Sequence, residues 1–192
     1  MHGWWAASYV VLWALVVVLC VVVVALARQI GTLHLRLGPR GALEMDDEGP
    51  PLGEAPEPFD VADIDGRRVT IGGPGEPQLL MFVSPGCMLC EQVLPSVPAI
   101  ATGGDLRPYV LTDVDTTESA LVFGPKRLKA PVVAAQSIAT AYDVPGTPYV
   151  VVLDDQGVVQ AKGTVNNLEQ MEGLVDTAAR RVHEGAAARA AG

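Results

Sequence analysis

No Lys or Arg precedes Arg28, and no acid precedes Glu44. Cysteine is scarce, with three residues in 192. Cys20 lies in an apolar run, so two cysteines remain elsewhere, Cys87 and Cys90. A structural zinc site takes four ligands, and this chain does not supply four thiolates. Histidine is equally scarce: His2, His34 and His183 all lie outside the body of the chain. A copper-binding module built on Cys87, Met88 and Cys90 therefore has no imidazole nearby. Covalent haem attachment needs His directly after the second Cys of a Cys-x-x-Cys pair, and residue 91 is Glu. Basic residues are also in short supply, with 22 acids against 13 Lys and Arg and a net charge of −9. That balance excludes nucleic acid as a partner, because phosphates demand the opposite sign. No internal repeat is present.

Uncharged apolar sequence is abundant at the start. Ala6 to Ala27 carries no charge, and Ser8 and Tyr9 are its polar members. At 1.5 Å per residue such a helix spans roughly 33 Å, enough for a bilayer core. Trp4, Trp5 and Tyr9 stand at one edge, as interfacial aromatics do. Ala25-Leu26-Ala27 has the small-x-small form of a signal cleavage site, but the run is longer than a signal core and lacks a leading basic residue. The expectation is an uncleaved anchor, with Cys20 a small apolar helix residue in it.

Ile30, Leu33 and Leu37 recur at helical spacing and carry this helix onward, with His34 as a helix-face residue. Gly38-Pro39 ends it. The acidic stretch over residues 44–58, with Pro50, Pro51, Pro56 and Pro58, reads as a semi-stiff linker. The predicted organisation is an anchor over 1–37, a linker over 38–58, a domain over 59–184 and a flexible tail over 185–192. Arg28, Arg36 and Arg40 flank the anchor without acids, which by the positive-inside rule places that end in the cytoplasm.

The chemistry concentrates in Ser84-Pro85-Gly86-Cys87-Met88-Leu89-Cys90. A buried strand over 78–83 leads in and a helix from Glu91 leads out. Cys-x-x-Cys at such a junction puts the first sulfur at a helix N-terminus, where unpaired N–H groups stabilise a thiolate. The second sulfur lies one turn further in, close enough to form a disulfide. The spacing alone also serves metals and haem. Two further features narrow it: Pro95 five residues after Cys90, and Val144-Pro145-Gly146-Thr147-Pro148 opening an apolar β-run.

With these features the chain resembles the thioredoxin superfamily over roughly residues 57–184. The resemblance implies an α/β fold with a central mixed sheet flanked by helices. It also implies an active-site helix kinked at Pro95 and a cis-proline loop at Thr147-Pro148 that presents backbone to substrate. Cys87 is then the nucleophile and Cys90 the resolver, and no small-molecule cofactor is needed because the disulfide is the redox group. Ser84 stands three before Cys87 as in peroxiredoxins, but Leu80 occupies the place of their proline.

A closer resemblance rests on Leu26-Ala27-Arg28-Gln29-Ile30-Gly31, Gly38-Pro39-Arg40-Gly41-Ala42-Leu43, Pro51-Leu52-Gly53-Glu54-Ala55-Pro56 and Asp65 to Gly73. These segments are similar to the membrane-tethered disulfide oxidoreductases of methylamine-utilisation clusters, the family of methylamine dehydrogenase accessory protein D. That implies a disulfide-containing protein substrate, the small subunit of methylamine dehydrogenase, and a membrane or soluble thiol as electron partner. An extracytoplasmic domain suits that work, against the arginine count. Met88-Leu89 departs from the Pro-containing pair common between the family's cysteines. The same architecture serves general reductases of other exported proteins, such as those of cytochrome biogenesis. A metal-handling or scaffolding module is the remaining alternative, and a scaffold has no need of an accessible dithiol.

Within the domain the patterns predict a hairpin around Asp65-Gly66, strands near 107–111 and 131–133, and a short helix over 118–123 capped by Thr116 or Thr117. A helix over 135–142, a hairpin around Asp154 to Gly157 and a helix over 167–182 follow. Glu91 opposes a thiolate at Cys87 by like charge, and neither Met88 nor Leu89 donates to it. That balance predicts a couple nearer the reducing end of known exchangers. Asp113 or Asp115 is the candidate, through water, for the proton acceptor of the second cysteine.

Overall fold

The structure is a computed structural model that describes residues 3–36 and 48–191. Residues 37–47, and with them the expected helix stop at Gly38-Pro39, Arg40 and the first part of the linker, lie outside the described residues. The chain divides into two units, with the boundary between Pro39 and Arg40.

The first unit is the helix α1, Gly3–Arg36. Residues Gly3–Val22 of it are long and apolar enough to cross a membrane, and among the described residues no other helix is. Trp4, Trp5 and Tyr9 are exposed. The helix is therefore a candidate membrane span or signal sequence. Its backbone continues through residues 28–36, as the helical spacing there predicts.

The second unit begins with a hairpin, β1 (Phe59–Ala62) and β2 (Arg68–Ile71), paired antiparallel as a sheet of its own. The buried Asp63 organises its turn. Its Oδ1 accepts from the backbone N–H of Asp65 and Arg67, and Oδ2 accepts from Arg67 Nε at 2.9 Å. Next comes β3 (Gln78–Val83), buried at every position. It leads to α2 (Met88–Val93), a 3₁₀ turn over Leu94–Ser96 and α3 (Val97–Gly103). Pro95 stands at the start of that turn, where its missing N–H breaks the helical ladder and divides the active-site helix in two.

After β4 (Arg107–Thr112) comes α4 (Thr116–Phe123). Its cap is Asp115 rather than Thr116 or Thr117. The Asp115 carboxylate accepts from Glu118 N at 2.9 Å, and the helix starts at Thr116, two residues before the expected start. The edge strand β5 (Val132–Ala134), α5 (Gln136–Ala141), β6 (Tyr149–Leu153), β7 (Val159–Thr164) and α6 (Leu168–Ala191) complete the unit. Residues 185–191 continue α6, where the composition predicts a frayed tail. Alanine is the strongest helix former, and the run of alanines sustains the ladder.

Five strands form the main sheet in the order β5-β4-β3-β6-β7. β3 pairs parallel with β4 and antiparallel with β6, so the sheet is mixed. Alternation along β3 divides the core. Leu79, Met81 and Val83 face a layer made by α2, α3, α4 and α6, including Val93, Val97, Phe123, Met171 and Leu174. Leu80 and Phe82 face the other layer, where Ile71 of the hairpin and Ile138 and Tyr142 at α5 close over them. Gln78 ties the hairpin to the sheet, accepting from Gly72 N at 2.9 Å and donating to the Thr70 carbonyl at 3.2 Å.

This arrangement places the C-terminal ends of β3 and β4 beside the start of β6. Ser84, Asp113 and the Thr147-Pro148 loop all belong to that rim.

Candidate active site

The rim is built from a tight turn. Cys87 N donates to the Ser84 carbonyl at 3.3 Å, with Pro85 and Gly86 between them. Gly86 has φ +76°, the left-handed value that the third residue of a type II turn requires and that glycine adopts freely. The turn delivers Cys87 as the N-cap of α2 with an extended backbone. From there its Sγ accepts from Cys90 N at 3.1 Å. α2 has six residues, so its dipole is small, and this N–H is placed to stabilise negative charge on that sulfur once the pair is reduced.

Cys87 and Cys90 are joined as a disulfide, with Cα atoms 5.2 Å apart. Cys90 is buried as part of the core layer that includes Val93, whereas Cys87 is half-buried. Met88 and Leu89, between them, are exposed and present apolar side chains at the rim. The Thr147-Pro148 bond is cis, and the Thr147 carbonyl oxygen lies 3.9 Å from Cys87 Sγ. All four residues singled out in the sequence thus meet at one place: Cys87, Cys90, Thr147 and Pro148.

The electrostatic surroundings differ from those expected. Glu91 does not face Cys87 as a lone charge; its carboxylate pairs with Lys126 Nζ at 2.8 Å. The hydrogen bond from Lys126, with the attraction of its charge, holds the Glu91 carboxyl below the usual carboxylate range. The opposition to a thiolate at Cys87 is weakened accordingly. Asp115 is committed to capping α4. Asp113 accepts a hydrogen bond from Ser84 Oγ at 2.5 Å, and that hydroxyl also lies 2.9 Å from Thr147 Oγ1. Ser84 and Lys126 carry no site role in the sequence reading. A serine after a strand and a lysine 35 residues from its partner have no local signature.

Among the described residues, no group of three or more His, Cys, Asp and Glu is placed to hold a metal ion.

Comparison with known proteins agrees with this geometry. The thioredoxin-like domain family matches residues 65–179. The methylamine utilization protein MauD of Methylobacillus flagellatus is 37% identical over 175 residues, covering 89% of this chain and 85% of that protein. MauD of Paracoccus denitrificans is 34% identical over 174 residues, covering 88% and 86%. Among solved structures, the exposed lipoprotein thioredoxin Etrx1 of Streptococcus pneumoniae has a TM-score of 0.57 at 16% identity, covering 65% of this chain and 99% of that one. StoA of Bacillus subtilis has a TM-score of 0.53 at 16% identity, covering 64% and 96%. These structural likenesses concern the fold; the sequence matches extend over most of the chain. The chain therefore belongs to the thioredoxin-like family and, within it, to the MauD family, and it is a thiol–disulfide oxidoreductase carrying a CxxC-spaced disulfide.

Proposed function

We propose that Cys87 is the attacking sulfur, Cys90 the resolving one, and Thr147-Pro148 the loop against which the substrate lies. The observation that carries this reading is the asymmetry of the pair. Cys87 is the more accessible sulfur and accepts an N–H bond, while Cys90 is buried. A thiolate at Cys87 attacks one sulfur of a substrate disulfide, forming a mixed disulfide and releasing the other substrate sulfur as a thiolate. Cys90, deprotonated, then attacks Cys87 Sγ, closing the internal disulfide and expelling the second substrate thiolate. The substrate is reduced by two electrons and the CxxC pair is oxidised by two; the reverse sequence inserts a disulfide. No external cofactor enters either direction.

The substrate class is a disulfide-containing protein. The name borne by the relatives points to methylamine utilisation, and in this reading the client is the small subunit of methylamine dehydrogenase. A membrane or soluble thiol exchanges electrons with the CxxC pair. Cys90→Ser is expected to accumulate mixed disulfides through Cys87, since the resolving step is lost. Non-reducing electrophoresis with mass spectrometry of cells making this variant reads the adduct. The narrow reading predicts the dehydrogenase small subunit among the trapped proteins, and its absence from an otherwise rich set of adducts sinks that client while leaving the chemistry.

In this reading residues 1–37 anchor the protein, 38–58 tether it, and 59–184 form the redox domain on the extracytoplasmic side. The supporting reason is that a disulfide exchanger of this kind works where disulfides persist. The arginines that follow the uncharged run, Arg28, Arg36 and Arg40, argue the opposite orientation. A membrane-impermeant maleimide applied to intact, gently reduced cells is expected to label Cys87. Labelling that appears only after lysis places the domain in the cytoplasm.

A further inference from the structure

Three chain segments meet at Ser84, and their hydrogen bonds have a single consistent direction. An ionised carboxylate only accepts, so Ser84 must give its one hydroxyl proton to Asp113 Oδ2, at 2.5 Å. Its oxygen is then left to accept from Thr147 Oγ1, at 2.9 Å. The chain of donors runs from Thr147 through Ser84 to Asp113, with the charge at its end strengthening both bonds.

Thr147 is half-buried, and this relay sets its side chain. Pro145 and Gly146, just before Thr147, are exposed. A cleft of about 160 Å³, walled by Ser84, Asp113, Val144, Gly146 and Thr147, lies open on one side. The loop is tied at its two ends by backbone bonds, Val144 N to the Ala139 carbonyl at 3.0 Å and Val165 N to the Pro148 carbonyl at 3.2 Å. Between those ties, among the described residues, Ser84 is the hydrogen-bond partner of the Thr147 side chain. The Thr147 carbonyl is the group that faces Cys87 Sγ.

We infer that Ser84 and Asp113 are positioning residues for the exchange reaction: they fix Thr147 so that the backbone beside Cys87 is set to receive an extended peptide substrate. The inference rests on the proposed roles of Cys87 and of the Thr147-Pro148 loop. It assigns the two residues no contact with the reacting sulfurs. They act on substrates that lay a backbone along the loop, and far less on a small disulfide that touches the sulfur alone.

The test compares two substrates with the full-length protein in detergent micelles. One is a disulfide-bonded peptide long enough to pair with the loop, and the other is hydroxyethyl disulfide. For Ser84→Ala the ratio of kcat/KM for peptide over small disulfide is expected to fall about tenfold, mainly through KM. Ser84→Thr keeps the hydroxyl and is expected to recover most of that loss. Asp113→Asn lies at an exposed position, so it perturbs the relay without disturbing the core, and a smaller fall in the same ratio is expected. A ratio within about twofold of wild type in both Ser84→Ala and Asp113→Asn overturns the inference. So does a Ser84→Thr variant no better than Ser84→Ala. Failure of the underlying reading shows separately, as turnover of hydroxyethyl disulfide that persists in Cys87→Ser.

Discussion

Replacing Cys87 by serine is expected to abolish thiol–disulfide exchange, lowering the rate by on the order of 10³-fold or more, while leaving the fold in place. A serine hydroxyl is not a thiolate at neutral pH and does not attack sulfur. The N–H of Cys90, which the sulfur now accepts at 3.1 Å, is met by the serine oxygen instead, so the helix start keeps a cap. The side chain is half-buried at the rim rather than inside the core, and the lost disulfide closes a loop of only three residues. Such a short loop removes little entropy from the unfolded chain. The comparison belongs in a Cys20→Ser background, because Cys20 is the one other cysteine and is free. Insulin-type reduction assays read the activity and far-ultraviolet circular dichroism reads the fold. Undiminished turnover in the double variant reassigns the nucleophile.

Phe82→Ala is the substitution expected to cost most in stability, about 3–5 kcal/mol. Phe82 is 2% exposed on the central strand β3, two residues before Ser84. Its ring lies 6.1 Å from that of Tyr142 in a tilted arrangement, within the layer that includes Leu80, Leu111, Val133 and Ile138. Truncation leaves a cavity between a sheet and a helix that are both held by other contacts, so collapse around it is limited. A domain of this size holds about 5–15 kcal/mol in all, so the loss is a large fraction of the total. Tyr142→Phe provides the contrast. The Tyr142 hydroxyl is buried with no hydrogen-bond partner among the described residues, and burial pushes its phenol up to about 12. Removing that oxygen keeps the ring contact and sheds an unsatisfied polar group, so it is expected to be neutral or mildly stabilising. Urea unfolding in micelles, followed by near-ultraviolet circular dichroism, measures both. A Phe82→Ala cost below about 1 kcal/mol means that the hairpin and α5 close onto the vacated space.

Local pattern determined much of this protein. The uninterrupted apolar residues of β3, the turn-formers Pro85 and Gly86, and the two cysteines at the strand-to-helix junction are each legible within a few positions. Pro95 breaks its helix wherever that helix is placed, because the missing N–H is a property of the residue itself. The uncharged apolar start of α1 is likewise readable from composition, since length and apolarity alone make Gly3–Val22 a candidate membrane span.

The misreadings have a common form. Thr116 and Thr117 look like caps, but Asp115 takes the role, with an extended backbone and a carboxylate that accepts from Glu118 N. The alanines after Gly185 look like a loose tail, yet they continue α6. Glu91 looks like an uncompensated charge next to Cys90, and it is paired.

What only the tertiary structure decided depends on which distant segments the sheet brings together. Placing β4 beside β3 carries Asp113 to Ser84, 29 residues away in sequence, and placing β6 on the other side carries Thr147 to the same hydroxyl across 63. The 3₁₀ turn Gly124–Lys126 after α4 brings Lys126 to Glu91 across 35. Hydrogen bonds and ion pairs act over about 3 Å and leave no periodic mark in the chain, whereas burial is repeated along every strand and helix face. The fold and the cysteines are therefore written in repeating or local patterns, and the polar relay that sets the loop beside them exists only once the strands are ordered.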